Sequence, residues 1–173
     1  MWRPCTVQRR LAVTQGGLQV RYVLLDRITA LEPPERATGV KCVSLADDVF
    51  VDHFPGLPIM PGALILESMA QLGGVLLEAT MRQRGHENLY AMLVMVERAK
   101  FRRIVRPGDQ MILEASCSAV SDAGGKVRVT AHVGGELAAE SELGLALTPI
   151  LRPEIIAQRK ALLHVWLGSA DEM

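Results

Sequence analysis

The sequence predicts an α+β domain in which a curved antiparallel β-sheet wraps around one long central helix. Three observations point that way. The run from Pro61 to about Arg84 is apolar on nearly every face, so the helix it forms must be covered on all sides. After residue 110, three long segments carry apolar residues at every second position. Two Gly-Gly steps, Gly124-Gly125 and Gly134-Gly135, separate those segments as hairpin turns do. A strongly curved sheet closed around the helix buries both kinds of element in the simplest way.

Residues 1–21 are expected to form an N-terminal arm. The stretch MWRPCTVQRRLAVTQGG has no unbroken apolar run of the kind a secretory signal needs, and no acidic residue precedes Asp26. A poorly ordered arm is preferred here over an organelle transit segment. Val23 to Leu31 leans towards β-structure, and Pro33-Pro34-Glu35-Arg36 turns the chain into a second strand-like run, Ala37 to Leu45. The loop Ala46 to Met60 follows. Pro61 suits the first helical position, where its missing N–H is not needed, and Gly85 suits the helix end. Gly73 and Gly74 weaken the helix interior by roughly 1 kcal/mol each relative to alanine, so close packing against a sheet or another backbone is their expected reason.

Leu89 to Phe101 reads as a further strand. Met111, Leu113, Ala115, Cys117 and Ala119 alternate with more polar neighbours. Val127, Val129, Ala131 and Val133 do the same, and so does the series from Leu137 through Ala139, Ser141, Leu143 and Leu145 to Leu147. Pro153 to Leu167 looks helical, with Ile155, Ile156, Leu162, Leu163 and Trp166 on an apolar side and Gly168 as a stop. The core domain should therefore span 22–150. Residues 151–173 form a helical tail that packs on the domain or on a neighbouring subunit and is assigned no chemistry.

At 173 residues the chain suffices for one domain with a sizeable core. Nineteen basic residues balance nineteen acidic ones, which removes any general argument for nucleic-acid or membrane attraction. No apolar run is expected to approach the roughly 20 residues of a membrane span. The three cysteines, Cys5, Cys42 and Cys117, are far apart and odd in number, which suits reduced thiols in a cytoplasmic setting. The four histidines are equally scattered, and neither a metal nor a cofactor is expected.

The segment Asp52 to Gln71, DHFPGLPIMPGALILESMAQ, carries the chemistry. His53 lies in a loop stiffened by Pro55, Gly56, Pro58, Pro61 and Gly62, as befits an imidazole that must meet something at a set distance. Glu67 stands among Leu64, Ile65, Leu66, Met69 and Ala70. Desolvating a carboxylate there costs roughly several kcal/mol, and apolar surroundings favour the protonated form that a proton donor requires. The start of the helix offers unpaired amides and a positive dipole end, and Gly62 has no side chain to block its own amide. A base, an acid and an oxyanion donor thus come from one short stretch.

The pattern H-F-P-G-x-P-I-x-P-G-x-L-I-L-E-x-M-A-Q, from His53 to Gln71, resembles the signature of the 3-hydroxyacyl-[acyl-carrier-protein] dehydratases of fatty acid synthesis, FabZ type. The resemblance extends to Leu24–Leu45 and Glu97–Met111 and covers roughly residues 22 to 148. It implies a hot-dog fold, homodimers with two shared active sites, and frequent assembly into homohexamers. It also implies that His53 and Glu67 are the catalytic pair, contributed by opposite subunits, and that the Gly62 amide binds the thioester carbonyl. Glutamate at 67, rather than aspartate, is similar to this branch and not to the related dehydratase/isomerase branch. Asp52, where glycine is usual, and Asp47-Asp48, in place of a polar-proline lead-in, depart from the pattern.

An acyl carrier protein is acidic, and Arg98, Lys100, Arg102, Arg103 and Arg106 could dock it. A solvated strand edge protected by charge explains the same five cations equally well. Two other activities fit the fold: a thioesterase, in which Glu67 activates water, and a non-catalytic acyl-thioester-binding subunit.

Overall fold

Residues 22–168 are described by the computed structural model, and they form a six-stranded sheet in which every neighbouring pair is antiparallel. The strands are β1 (Arg27–Glu32), β2 (Arg36–Cys42), β3 (Leu89–Phe101), β4 (Gln110–Ser121), β5 (Gly124–Val133) and β6 (Glu136–Pro149). Their order across the sheet is β1-β2-β4-β5-β6-β3. Helix α1 (Gly62–Gln83) packs against all six strands, and α2 (Pro153–Leu167) follows the last strand. The N-terminal arm and residues 169–173 of the tail lie outside the described residues.

The period-two pattern selects the inner face as expected. Val127, Val129 and Ala131 of β5 and Met111 and Leu113 of β4 are fully buried against α1, while Arg128 and Glu114 face outwards. The alternation in β4 ends earlier than the sequence suggests. The β4–β5 register shifts between Cys117 and Ala119, and Ala119 is exposed. An extra residue at a bulge reverses which side chains face the core, so a strict alternation rule fails beyond it.

Gly73 and Gly74 let the sheet approach α1 closely. A methyl at Gly73 would sit 3.3 Å from Val127 Cγ1, and one at Gly74 3.5 Å from Ala91 Cβ. The helix is capped by Pro61 rather than started by it. At its other end the Gly85 amide donates to Arg82 O and the His86 amide to Met81 O, with Gly85 at φ +84°. This paired closure is the one that favours glycine just past a helix.

By length and composition α1 is apolar enough to cross a membrane, which the sequence reading did not anticipate. About two-thirds of that stretch is buried inside the domain, so the sheet takes the place of lipid. The tail expected to pack on the domain or on a neighbour packs on its own domain. Trp166 is buried and its indole N–H donates to Leu25 O, while Arg159 pairs with Glu78 of α1.

Candidate active site

The loop ahead of α1 is held by its own backbone. The His53 amide donates to Val49 O (3.1 Å), and His53 O accepts from the Ile59 amide (3.1 Å). Phe54 and Leu57 exchange amide-to-carbonyl bonds at 3.0 and 2.9 Å, and the Met60 amide ties the loop to Val105 O. The segment is therefore as constrained as its prolines and glycines imply. The half-buried His53 imidazole stacks on the Phe54 ring, with centroids 4.1 Å apart. Its nitrogens have no hydrogen-bond or ion-pair partner among the described residues. Asp52 is exposed and forms no ion pair with His53.

At the start of α1 the amides of Leu64 and Ile65 both bond to Pro61 O, and no side chain caps the helix. The Gly62 and Ala63 amides have no acceptor among the described residues. Two N–H donors and the positive dipole end thus remain available at the tip of the helix. The side-chain space at Gly62 is filled by a neighbour: a methyl there would lie 3.0 Å from Cζ of Phe101.

Glu67 is half-buried, one turn and a half into α1. Gln71, one turn further on, donates from Nε2 to Glu67 Oε1 (3.0 Å) and to Tyr22 O (2.9 Å), and its Oε1 accepts from the Leu24 amide (2.9 Å). This glutamine ends the sequence motif but had no role assigned to it. Its i, i+4 spacing from Glu67 is the signal that could have given it one.

Glu67 and Gln71 line a largely apolar cleft of about 710 Å³ between α1, β3 and α2. His53 and Gly62 are not among its lining residues. Within one chain this cleft therefore holds Glu67 without His53. Further along the same cleft lies Glu78, a second carboxylate in α1 and the more deeply buried one, only 4 % exposed. It accepts from the Ala91 amide (3.1 Å) and from Arg159 through both oxygens (3.0 and 3.1 Å). Burial pushes its carboxyl above the ordinary carboxylate value, and Arg159 opposes that rise. Neither partner was singled out in the sequence.

The five cations after β3's midpoint divide into two groups. Arg98 pairs with Glu142, Lys100 and Arg102 with Glu140, and Arg103 with Glu136. These glutamates lie on β6, and the pairing holds the carboxyls of Glu140 and Glu142 below the usual range. The Arg106 side chain has no acidic partner among the described residues.

A family model described as a FabA-like domain matches residues 19–142. The 3-hydroxyacyl-[acyl-carrier-protein] dehydratase FabZ of Pelotomaculum thermopropionicum is 44% identical over 126 residues, covering 73% of this chain and 88% of that one. Among solved structures, the dehydratase heterocomplex ApeI:P from Xenorhabdus doucetiae is similar with TM-score 0.64 and 16% identity, over 83% of this chain and 92% of that one. A hot-dog-like protein from Thermanaerovibrio acidaminovorans is similar with TM-score 0.56 and 17% identity, over 75% and 92%.

Proposed function

The chain belongs to the FabA-like domain family, and from that premise we propose that it removes water from 3-hydroxyacyl thioesters carried by acyl carrier protein, giving trans-2-enoyl thioesters. In this reading neutral His53 takes a proton from the carbon next to the thioester carbonyl. Glu67, protonated, gives its proton to the departing 3-hydroxyl, and the Gly62 amide holds the carbonyl oxygen as charge develops on it. The Gln71 bond fixes the Glu67 carboxyl in the cleft, and no cofactor enters the scheme.

The observation that carries the reading is that the cleft beside Glu67 lacks His53. Glu67 faces a cleft that its own His53 does not line, while the His53 backbone is tied at both its amide and its carbonyl and its ring nitrogens are unengaged among the described residues. Two subunits exchanging His53 would complete two sites. Support comes from β3, an edge strand on which Met92, Leu93, Val94, Met95 and Val96 are all exposed. An apolar edge of that length, unpaired among the described residues, invites a second copy. We therefore propose a homodimer as the working unit, in the cytoplasm.

For carrier-protein docking, the ion-paired ladder of Arg98, Lys100, Arg102 and Arg103 supplies a rigid frame, and Arg106 supplies the uncompensated charge. Hydration of a short trans-2-enoyl thioester, followed by loss of its conjugated absorbance, tests the reading. Wild type should hydrate it, and Glu67→Gln and His53→Ala should not. Near-native rates in either variant would rule out these roles, and release of free thiol without dehydration would favour a thioesterase.

A further inference from the structure

An irregularity in β3 decides which way its last residue points. Val96 pairs with Leu143 and Glu97 with Glu142, yet Lys100 pairs with Glu140 and Phe101 with Ala139. Arg98 and Ala99 therefore stand opposite Ser141 alone, the two-against-one arrangement of a β-bulge. Val96 shares the inner face of the sheet with buried Leu143. Side chains alternate along a strand, so the five steps from Val96 would turn Phe101 to the outer face. The extra residue cancels that reversal, and Phe101 shares the inner face with fully buried Ala139.

The bulge is strained and braced. Arg98 has φ +52°, a left-handed conformation that non-glycine residues seldom adopt. The hydroxyl of buried Ser141 donates to Glu97 O (3.0 Å), and Arg98 pairs with Glu142. Just past Phe101 the Arg102 and Arg103 amides both donate to Ala138 O (2.7 and 3.3 Å). The backbone that carries Phe101 is thus held on both sides.

This device sets an aromatic face against the tip of α1. A methyl on Gly62 would lie 3.0 Å from Phe101 Cζ and 3.1 Å from each of Cε1 and Cε2. Near-equal distances to three ring atoms put Gly62 over the face of the ring and not its edge. The Gly62 and Ala63 amides, without acceptors among the described residues, therefore adjoin an apolar wall.

Resting on the dehydratase reading, we propose that Phe101 is a positioning residue for that reaction: its ring closes one side of the oxyanion site at the α1 tip and keeps water from the Gly62 amide. A donor shielded from solvent stabilises developing negative charge better than one shared with water. Glycine at 62 is then needed to seat the ring as well as to free the amide.

The test measures kcat and KM for hydration of a short trans-2-enoyl thioester by wild type, Phe101→Ala, Phe101→Leu and Phe101→Tyr. Losing an oxyanion donor outright costs about 10²–10³ in rate, so losing its shield alone should cost less. Phe101→Ala should lower kcat about tenfold and leave KM within about twofold, because the amide bond tightens only as charge develops. Phe101→Tyr keeps the flat ring and should stay near wild type in both constants. Phe101→Leu keeps apolar bulk without the ring, should share the loss, and decides the matter if Phe101→Ala does not fold. An unchanged kcat, a loss confined to KM, or a Phe101→Tyr loss as deep as that of Phe101→Ala would overturn the role of Phe101 and leave the dehydratase reading standing. A wild-type protein that hydrates no such thioester would overturn both.

Discussion

Two carboxylates on one face of α1, Glu67 and Glu78, meet opposite surroundings. Glu67 is half-buried and oriented by a neutral amide, which suits a group that must exchange a proton. Glu78 is buried against a cation, which suits a structural latch. Replacing Gln71 with Ala should therefore cut kcat by about ten- to a hundredfold by freeing the Glu67 carboxyl, with the fold retained. A rate within twofold of wild type would show that Gln71 does not position it. Glu78 makes a pH-dependent prediction. Its folded-state pKa is raised, so the native state binds more protons, and stability is highest below the ordinary carboxylate range and declines as pH rises through the raised value. Removing the opposing cation with Arg159→Met should destabilise the protein by about 3 kcal/mol at pH 8 and by clearly less at pH 5, where Glu78 is neutralised more easily. Denaturant unfolding at the two pH values measures this, and an equal loss at both would contradict it. Glu67 was legible because its apolar neighbours adjoin it in sequence. The Glu78 latch was not, because Arg159 lies 81 positions away.

At the scale of elements, β3 and α2 match their expected bounds residue for residue; Pro153 and Gly168 mark the ends of α2, whereas no glycine or proline adjoins either end of β3. What the sequence hid was the bulge in β4, because a register shift depends on the partner strand and not on the strand's own pattern. The glycines of α1 were legible as close-packing sites and now have named neighbours. Gly73→Leu should destabilise the domain by roughly 1–3 kcal/mol, because the added side chain meets Val127 and Val129 in a filled core. A shift in thermal midpoint too small to measure would mean that the sheet can yield there.

For the whole molecule, the curved sheet was readable from an all-round apolar helix that had to be covered. The subunit arrangement was not readable from periodicity. It rested on the family resemblance, and the structure adds a physical motive in the exposed apolar face of β3. On the proposed homodimer, Val94→Lys at the middle of that edge should shift the protein towards monomer in sedimentation and remove turnover together with the proposed shared sites. Loss of turnover with added salt should be steeper for carrier-protein substrates than for small thioesters if Arg106 and its neighbours dock an acidic partner. The most direct measurement mixes two inactive variants, His53→Ala and Glu67→Gln, under conditions where subunits exchange. A site shared across a two-fold axis predicts recovery of roughly a quarter of wild-type activity in a random mixture, because half the dimers carry one intact site of two. A mixture that demonstrably exchanges subunits and stays as inactive as its parents would contradict the shared site.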